Sequence, residues 1–405
     1  MESLSTAKLP FSLVLLCIAT TLLNRVFAIE VCKFPAIFNF GDSNSDTGGF
    51  DAALFEIKSP YGETYFHRPT GRGSDGRVVI DFIAQSLGLP YLSAYLNSLE
   101  ANFTHGANFA EVAATILPPP TVLPVGGFSP FYLDIQTSQF QRFISKTQFI
   151  RQQGGVFASL MPKNEYFGKA LYTFDIGQND IYVGVTANQT VEQINASIPN
   201  IIKGLSKNIK NIYNLGGRSF WIHNTGPYGC LPHTLTDFPS IEIDAWGCAK
   251  SYNELSQNFN HKLKEAIVQL RKELPLAAIT YVDVYSVKYS LISDAKKYGF
   301  EKPLVACCGY GGKYNHGSVM CGNAGTVNGT EIFAGACENP STRVSWDGVH
   351  NTEAANKIIF DQISSGAFSD PPLPLNKLNK LINGTRKKVE RERRDVSKEH
   401  VAFFI

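Results

Sequence analysis

Residues 36–46 read Ala-Ile-Phe-Asn-Phe-Gly-Asp-Ser-Asn-Ser-Asp, an apolar run that ends in a glycine and a polar turn. Residues 36–40 have the length and apolar character of a buried strand, and Gly41 allows the chain to turn tightly after it. Ligands collect at the carboxyl ends of strands in open parallel sheets, so Ser43 is expected where a reacting group would lie. An isolated Asp-Ser pair is more often a turn or a helix cap, so this interpretation depends on matching features elsewhere.

Strands and helices are predicted to alternate along the rest of the chain. Short apolar runs predict strands at 170–175, 219–223 and 279–284. Apolar residues recur at helical spacing in the segments 191–212 and 252–270, which predicts two long helices. Two further helices are predicted at 78–87 and 352–364. Pro199 lies inside one of them and is expected near a first turn or at a kink. This order predicts an α/β fold with a central parallel sheet covered on both faces.

Two segments do not follow the alternation. Residues 117–130 are rich in Pro and Gly and predict an irregular loop, which either walls a substrate cleft or is a plain surface connection. Residues 307–337 are rich in Gly and Cys, lack a helical period and predict an excursion held by disulfides. No linker divides the chain, so residues 29–375 are expected to form one domain.

Two further polar clusters follow apolar runs, at residues 177–180 (Gly-Gln-Asn-Asp) and 347–350 (Asp-Gly-Val-His). A serine hydroxyl is a poor nucleophile at neutral pH and needs an imidazole to take its proton, a carboxylate to orient the imidazole and fixed donors for the oxyanion. Ser43, His350, Asp347 and Asn179 are candidates for these roles. The Gly-x-Ser-x-Gly turn of α/β-hydrolases does not occur in this sequence.

Residues 38–43, 106–110 (Gly-Ala-Asn-Phe-Ala), 177–180 and 347–350 resemble, in order, the sequence blocks of plant GDSL esterases/lipases, which are SGNH hydrolases. The likeness runs from about residue 32 to about residue 374. It is most specific for the subgroup with Phe-Gly-Asp-Ser-Asn-Ser-Asp-Thr-Gly-Gly at 40–49, which is similar to early nodule-specific proteins, lanatoside acetylesterases and alpha-fucosidases. The resemblance implies a flavodoxin-like three-layer fold around a parallel sheet.

The resemblance also implies residue roles. Ser43 would be the nucleophile, His350 the base and Asp347 the carboxylate that orients it. The oxyanion donors would be the Ser43 N–H, the Asn179 side chain and the backbone N–H of Gly106. Relatives often carry a further glycine a few residues after Gly106, where this chain has Ala113. An alanine N–H can serve as well if its backbone torsions permit.

Other polar residues near these blocks are expected to be structural. Glycoside hydrolysis needs two spaced carboxyl groups, and Asp42 with Asp46 could imitate such a pair. Aspartates in polar turns more often accept backbone hydrogen bonds, which is the role expected for Asp42, Asp46 and Asp180. His223 ends a predicted strand and is expected to pack structurally.

The two ends of the chain indicate export and a solvated tail. Residues 1–28 resemble a signal peptide, with an apolar core at 11–23 and small residues Val26 and Ala28 before the cleavage point. No later apolar run is long enough to span a membrane, so no stable membrane insertion is expected. Residues 376–405 are expected to be a flexible basic tail, with surface attachment as the alternative. The expected location is extracellular, with the vacuole as an alternative.

Export makes disulfides and N-linked glycans available. Cys17 lies in the signal peptide, and seven of the eight cysteines remain, so one thiol should stay single. Cys230 could pair with Cys248, and Cys307 and Cys308 could bridge to Cys321 and Cys337, with the connectivity left open. Acceptor sites for N-glycans occur at Asn102, Asn188, Asn195, Asn328 and Asn383.

The net charge of +2 gives no sign of a nucleic-acid partner, and the cysteine spacing does not favour a metal. The expected function is a secreted serine ester hydrolase that needs no cofactor. Its expected substrate is a small-molecule ester, with a short acyl group such as acetyl on a plant metabolite or glycoside. The alternatives are acyl transfer at the same site, an alpha-fucosidase-type glycosidase and a non-catalytic glycoprotein.

Overall fold

The computed structural model describes residues 34–99, 101–125 and 127–378. The predicted signal peptide, Cys32, the sequon at Asn383 and nearly all of the predicted tail lie outside these residues. Within them, the strands are β1 (Ile37–Gly41), β2 (Gly106–Asn108), β3 (Leu171–Asp175), β4 (Ser219–His223), β5 (Ala278–Val282), β6 (Ala324–Val327), β7 (Thr330–Phe333) and β8 (Ser369–Asp370).

Six of these strands form one sheet in the order β2-β1-β3-β4-β5-β8. The first five are parallel to their neighbours, and the short edge strand β8 is antiparallel to β5. The predicted α/β fold with a central, mostly parallel sheet is therefore confirmed. Because the strands run in one direction, the residues that follow β1, β3, β4 and β5 emerge at the same edge of the sheet.

The helices of four or more residues connect and cover these strands. They are α1 (Gly49–Ala53), α2 (Val79–Ser86), α3 (Leu133–Gln153), α4 (Gly155–Ser159), α5 (Gln178–Thr186), α6 (Val191–Asn214), α7 (Pro232–Asp237), α8 (Lys250–Glu273), α9 (Val284–Ser293) and α10 (Glu353–Ser364), together with the 3-10 turn Ala295–Tyr298. Helices α3, α6 and α8 pack together, as do α2, α9 and α10. These two groups flank the sheet.

Side chains of the central strands point alternately to the two faces of the sheet, and both faces are buried. Phe38, Phe40, Tyr172 and Phe174 belong to the large apolar core shared with α3, α6 and α8. The residues between them point to the opposite face because side chains alternate along a strand. On that face the buried Asn39 and Thr173 belong to a polar network, while the buried Ile37, Leu171 and Trp221 are apolar.

The sequence-based boundaries differ from the observed ones at a few places. The strand predicted at 279–284 ends at Val282, because the Asp283 side chain accepts a hydrogen bond from Ser286 N–H and caps α9. Pro199 is the ninth residue of α6, not part of its first turn, and the helix continues past it. Residues 307–337 contain the antiparallel hairpin of β6 and β7, which was not predicted.

The disulfides settle the connectivity that the sequence left open. The bonds are Cys230–Cys248, Cys307–Cys337 and Cys308–Cys321. The last two hold the 307–337 excursion, as expected, and bury the Trp346 side chain next to residue 347. The described parts of 117–130 form neither helix nor strand, as predicted. No helix in the described residues is long and apolar enough to cross a membrane.

Candidate active site

The turn after β1 places Ser43 at the carboxyl edge of the sheet. Asp42 N–H donates to the Asp175 carbonyl at 3.0 Å, which ties the start of the turn to the end of β3. Ser45 N–H and Asp46 N–H then both donate to the Asp42 carbonyl. Ser43 is 5% exposed, and neither its N–H nor its Oγ forms a hydrogen bond with another described residue. Both groups are therefore free to act on a substrate.

A polar network beneath this turn fixes its shape. Asn39 Nδ2 donates to Ser45 Oγ at 3.0 Å and to Asn108 Oδ1 at 2.7 Å. Thr173 Oγ1 donates to Asn39 Oδ1 at 2.7 Å, and Asn108 Nδ2 donates to the Ser45 carbonyl at 2.7 Å. The network is buried, so each lost bond would leave a costly unpaired group. Asn39 and Asn108 were not predicted as site residues, although a polar residue inside an apolar strand is a recognisable signal.

Asp42 and Asp46 hold the backbone, as expected. Asp46 accepts N–H bonds from Gly48, Gly49 and Phe50, and from Val112 at 3.0 Å. Asp42 Oδ1 accepts from the Asn44 N–H and side-chain amide, each at 2.9 Å. Burial, together with the negative charge of Asp175, raises the pKa of Asp42 to about 7. Both carboxyl groups are thus engaged within the turn.

The turn at residues 347–350 joins the second and third members of the predicted triad. His350 Nδ1 lies 2.6 Å from Asp347 Oδ2, while Asp347 Oδ1 accepts the Val349 and His350 N–H groups at 3.0 and 2.8 Å. Burial opposes ionisation of Asp347, but the His350 ring and these donors outweigh it and lower the pKa of the carboxyl well below its usual range. Because Nδ1 faces a carboxylate, it carries the proton and Nε2 is left as the basic nitrogen.

His350 Nε2 is buried and has no hydrogen-bond partner among the described residues. The ring packs against Gly73, where an added Cβ would lie 3.2 Å from three ring atoms. Interactions that involve the two residues next to Ser43 in the chain show where the His350 ring lies. The charges of Asp42 and Lys288 act on the His350 ring, and Lys288 Nζ lies 3.4 Å from Asn44 Oδ1. Because Asp42 precedes Ser43 and Asn44 follows it, these interactions show that His350 lies near the Ser43 turn.

Asn179 reaches this edge from the start of α5. Gly177, at φ +128°, makes the sharp entry into the helix, and an added Cβ there would strike the Phe259 ring. Asn179 Nδ2 donates to the Ala114 carbonyl at 2.9 Å, so the amide lies beside the segment that follows β2. Asp180 accepts the N–H groups of Ile116 and Leu117, which is the structural role expected for it. Burial raises the pKa of Asp180 to about 7.

The structure places Gly106 away from these residues, which corrects the predicted third oxyanion donor. Gly106 pairs with Ile37 at the amino end of β1, about 13 Å along the strand from Gly41. Its N–H donates to the Phe103 carbonyl at 3.0 Å and is not available to a substrate. Gly106 is glycine because an added Cβ would collide with the Ile37 backbone.

Ala113 lies between a residue bonded to the Ser43 turn and a residue bonded to Asn179. Its neighbour Val112 is bonded to Asp46, and Ala114 is bonded to Asn179. Ala113 adopts φ +60°, a conformation that favours glycine, and its N–H has no acceptor among the described residues.

His223 is structural, as expected. Its Nδ1 lies 3.0 Å from Asp175 Oδ2, and its Nε2 accepts the Trp221 indole N–H at 3.0 Å. Both ring nitrogens are therefore occupied. Burial opposes the charge on Asp175, but His223 outweighs it and lowers the pKa of that carboxyl.

A depression with an empty volume of about 450 Å³ opens beside His350. Its lining includes Gln178, Gly226, Lys288, Ile292 and Val349. The positively charged Lys288 side chain therefore lies in a largely apolar surface. Lys288 was not predicted, since nothing in the local sequence of α9 sets it apart. Among the described residues, no group of three or more His, Cys, Asp or Glu side chains is arranged to hold a metal ion.

Comparison with known proteins identifies the family of the chain. Residues 37–363 match the family described as GDSL-like lipase/acylhydrolase. The chain is 62% identical over 358 residues to an esterase of Hevea brasiliensis, covering 88% of this chain and 91% of that one. It is 62% identical over 352 residues to GDSL esterase/lipase ENOD8 of Medicago truncatula, covering 87% and 91%.

A third relative carries a different name. The chain is 53% identical over 339 residues to Alpha-L-fucosidase 3 of Arabidopsis thaliana, covering 83% of this chain and 91% of that one. All three likenesses extend over most of both chains, and they confirm the resemblance carried by the four sequence blocks. The chain therefore belongs to the GDSL-like lipase/acylhydrolase family of ester hydrolases.

Proposed function

We propose that the protein hydrolyses carboxylic esters through an acyl-enzyme formed on Ser43. One observation carries the proposal. Asp347 holds His350 Nδ1 at 2.6 Å, which leaves Nε2 buried, basic and without a partner among the described residues, near the Ser43 turn. A buried imidazole nitrogen without a partner costs stability unless a substrate or a serine hydroxyl uses it.

The steps follow from the positions of the residues. Ser43 Oγ attacks the ester carbonyl, and its proton passes to His350 Nε2, where Asp347 stabilises the imidazolium. The oxyanion would lie among the Ser43 N–H, the Asn179 amide and the Ala113 N–H, the last of these replacing Gly106. His350 returns the proton to the leaving alcohol. It then activates a water that releases the acid from Ser43.

We infer a short acyl group, such as acetyl, on a plant metabolite or glycoside. The likeness of residues 40–49 to the subgroup that includes lanatoside acetylesterases supports this choice. We also infer that the protein is exported to the extracellular space or the vacuole and carries N-glycans. The three disulfides support export, because such bonds persist in oxidising compartments.

The test is a panel of esters from acetyl to palmitoyl, offered to the purified protein and to Ser43→Ala. Wild-type turnover should be highest for the short acyl groups, and Ser43→Ala should lose essentially all of it. Folding of the variant is checked by its thermal transition. Ester turnover that survives in Ser43→Ala would remove the proposed nucleophile.

The name of the Arabidopsis relative supports one alternative, a fucosidase activity. Glycoside hydrolysis needs two carboxyl groups that can reach the sugar, whereas Asp42 and Asp46 are bonded within their own turn. A fucoside substrate separates the two functions, because a glycosidase that uses carboxyl groups would remain active in Ser43→Ala. Product analysis with an added alcohol similarly separates hydrolysis from acyl transfer.

A further inference from the structure

The carboxylate of Asp347 accepts a donor that belongs to no part of the triad. Tyr61 Oη donates to Asp347 Oδ2 at 2.9 Å, the same oxygen that faces His350 Nδ1. The two remaining donors, from the backbone of Val349 and His350, go to Oδ1. Each carboxylate oxygen thus has two donors, and Tyr61 supplies the one that does not come from the 347–350 turn.

Packing keeps the Tyr61 phenol in this position. Its ring stands edge-on to Trp346, with centroids 5.9 Å apart, and Trp346 is itself buried against the disulfide-bonded cysteines. Burial, with the adjacent Asp347 charge, raises the pKa of Tyr61 well above its ordinary value. The hydroxyl therefore remains a donor throughout the pH range in which His350 titrates.

The backbone around Tyr61 is tied to the segment that follows His350. Gly62 N–H donates to the Ser74 carbonyl at 2.9 Å. Ser74 Oγ donates to the Asn351 carbonyl at 3.0 Å, and Asp75 Oδ1 accepts the Glu353 N–H at 2.7 Å. Tyr61 is consequently fixed relative to the end of the triad turn, although it lies 286 residues away from Asp347 in the sequence.

We propose that Tyr61 is a positioning residue of the ester-hydrolase site, which holds the Asp347 carboxylate in the orientation that aligns His350 with Ser43. This inference rests on the proposed function for its catalytic consequence. Tyr61 also sets the strength of the Asp347–His350 pair. Its hydrogen bond spreads the carboxylate charge, so that less of the charge acts on the imidazole.

The test is Tyr61→Phe, which removes one oxygen and keeps the ring that packs on Trp346. The lost donor should lower kcat/KM for a short-chain ester by about tenfold, since a bond to a charged group in the site is lost. It should also raise the pKa of His350 and move the acid limb of the kcat/KM profile to higher pH. The other charged groups that face His350, Asp42 and Lys288, are unchanged.

Tyr65→Phe is the matched control. Tyr65 lies in the same segment, is 39% exposed, and bonds through its hydroxyl to Tyr91 at 2.8 Å rather than to the site. This variant should keep the wild-type kcat/KM and acid limb. Thermal transitions of both variants report any general loss of stability.

The pKa of His350 is also followed without a substrate, by NMR of protein labelled with ¹³C-histidine and assigned with His350→Gln. This measurement keeps the inference separate from the proposed function, because it does not require that the protein cleave esters. The proposal requires both changes in Tyr61→Phe. If kcat/KM matches that of Tyr65→Phe, or if the pKa of His350 stays the same or falls, Tyr61 does not have this role.

Discussion

The carboxylate of Asp347 and the imidazole of His350 control each other's charge, because they lie 2.6 Å apart in a buried turn. Burial opposes a charged imidazole, but the neighbouring carboxylate outweighs it and raises the pKa of His350 above its ordinary 6.5. The proposed mechanism requires a neutral His350 in the free enzyme, because His350 acts in it as the general base. The active fraction of the enzyme therefore increases with pH through this raised pKa.

A pH profile tests this coupling between the two residues. We expect kcat/KM of the wild type to rise tenfold per pH unit on the acid side and to level off above pH 6.5. In Asp347→Asn the carboxylate is gone while burial remains, so the acid limb should move to lower pH, and kcat should fall by about 10³- to 10⁴-fold. An acid limb that is the same in both proteins would contradict the expected link.

Among the secondary-structure elements, helix α6 has a proline in its interior, which lowers the stability of the helix. Pro199 is exposed and lies in the interior of the helix, where it has no N–H to donate to the Asn195 carbonyl. The helix persists because its opposite face, which includes Ile194, Ile198 and Ile201, is buried in the core. Tertiary packing therefore outweighs the local preference of the chain.

Replacing this proline should stabilise the protein. We expect Pro199→Ala to raise the free energy of unfolding by about 2 kcal/mol, because the gained helix bond exceeds the lost stiffness of the unfolded chain. Urea denaturation measures the change. Pro232→Ala is the control, since Pro232 begins α7, where proline is favourable, and it should give no gain. A Pro199→Ala protein no more stable than wild type would refute this account.

For the molecule as a whole, we expect accessibility in the fold to decide which acceptor asparagines carry a glycan. Asn102, Asn188 and Asn328 are exposed, and Asn328 lies in the turn between β6 and β7. Asn195 is different, because it is partly buried between two long helices, and its Oδ1 accepts the Asn258 amide at 2.9 Å. A glycan on Asn195 would have to disrupt this contact.

Glycopeptide mapping of protein secreted from plant cells tests this difference. We expect glycans on Asn102, Asn188 and Asn328, and little or none on Asn195 in the folded protein. The exposed sites provide an internal control for export through the glycosylating compartment. Occupancy of Asn195 equal to that of Asn328 would show that accessibility in the folded chain does not decide modification.

Features that depend on residues close together in the chain could be predicted from the sequence. Strand β1 with its turn, the long helices α6 and α8, and the Asp347–His350 pair each depend on residues a few positions apart, so periodicity and short motifs predict them. Helix α3 was missed because its buried face includes Gln136, Thr137 and Gln139, which hides the apolar stripe. Strand β2 is too short to show an alternation.

The groups that come to the site from distant parts of the chain could be identified only from the folded structure. It excluded Gly106 by placing it at the amino end of the sheet, and it brought Ala113, Tyr61 and Lys288 to the carboxyl edge or to the turn behind it. These contacts join residues separated by many intervening elements, and no local pattern encodes them. They arise because parallel strands gather their carboxyl ends at one edge, where the loops that follow must pack against one another.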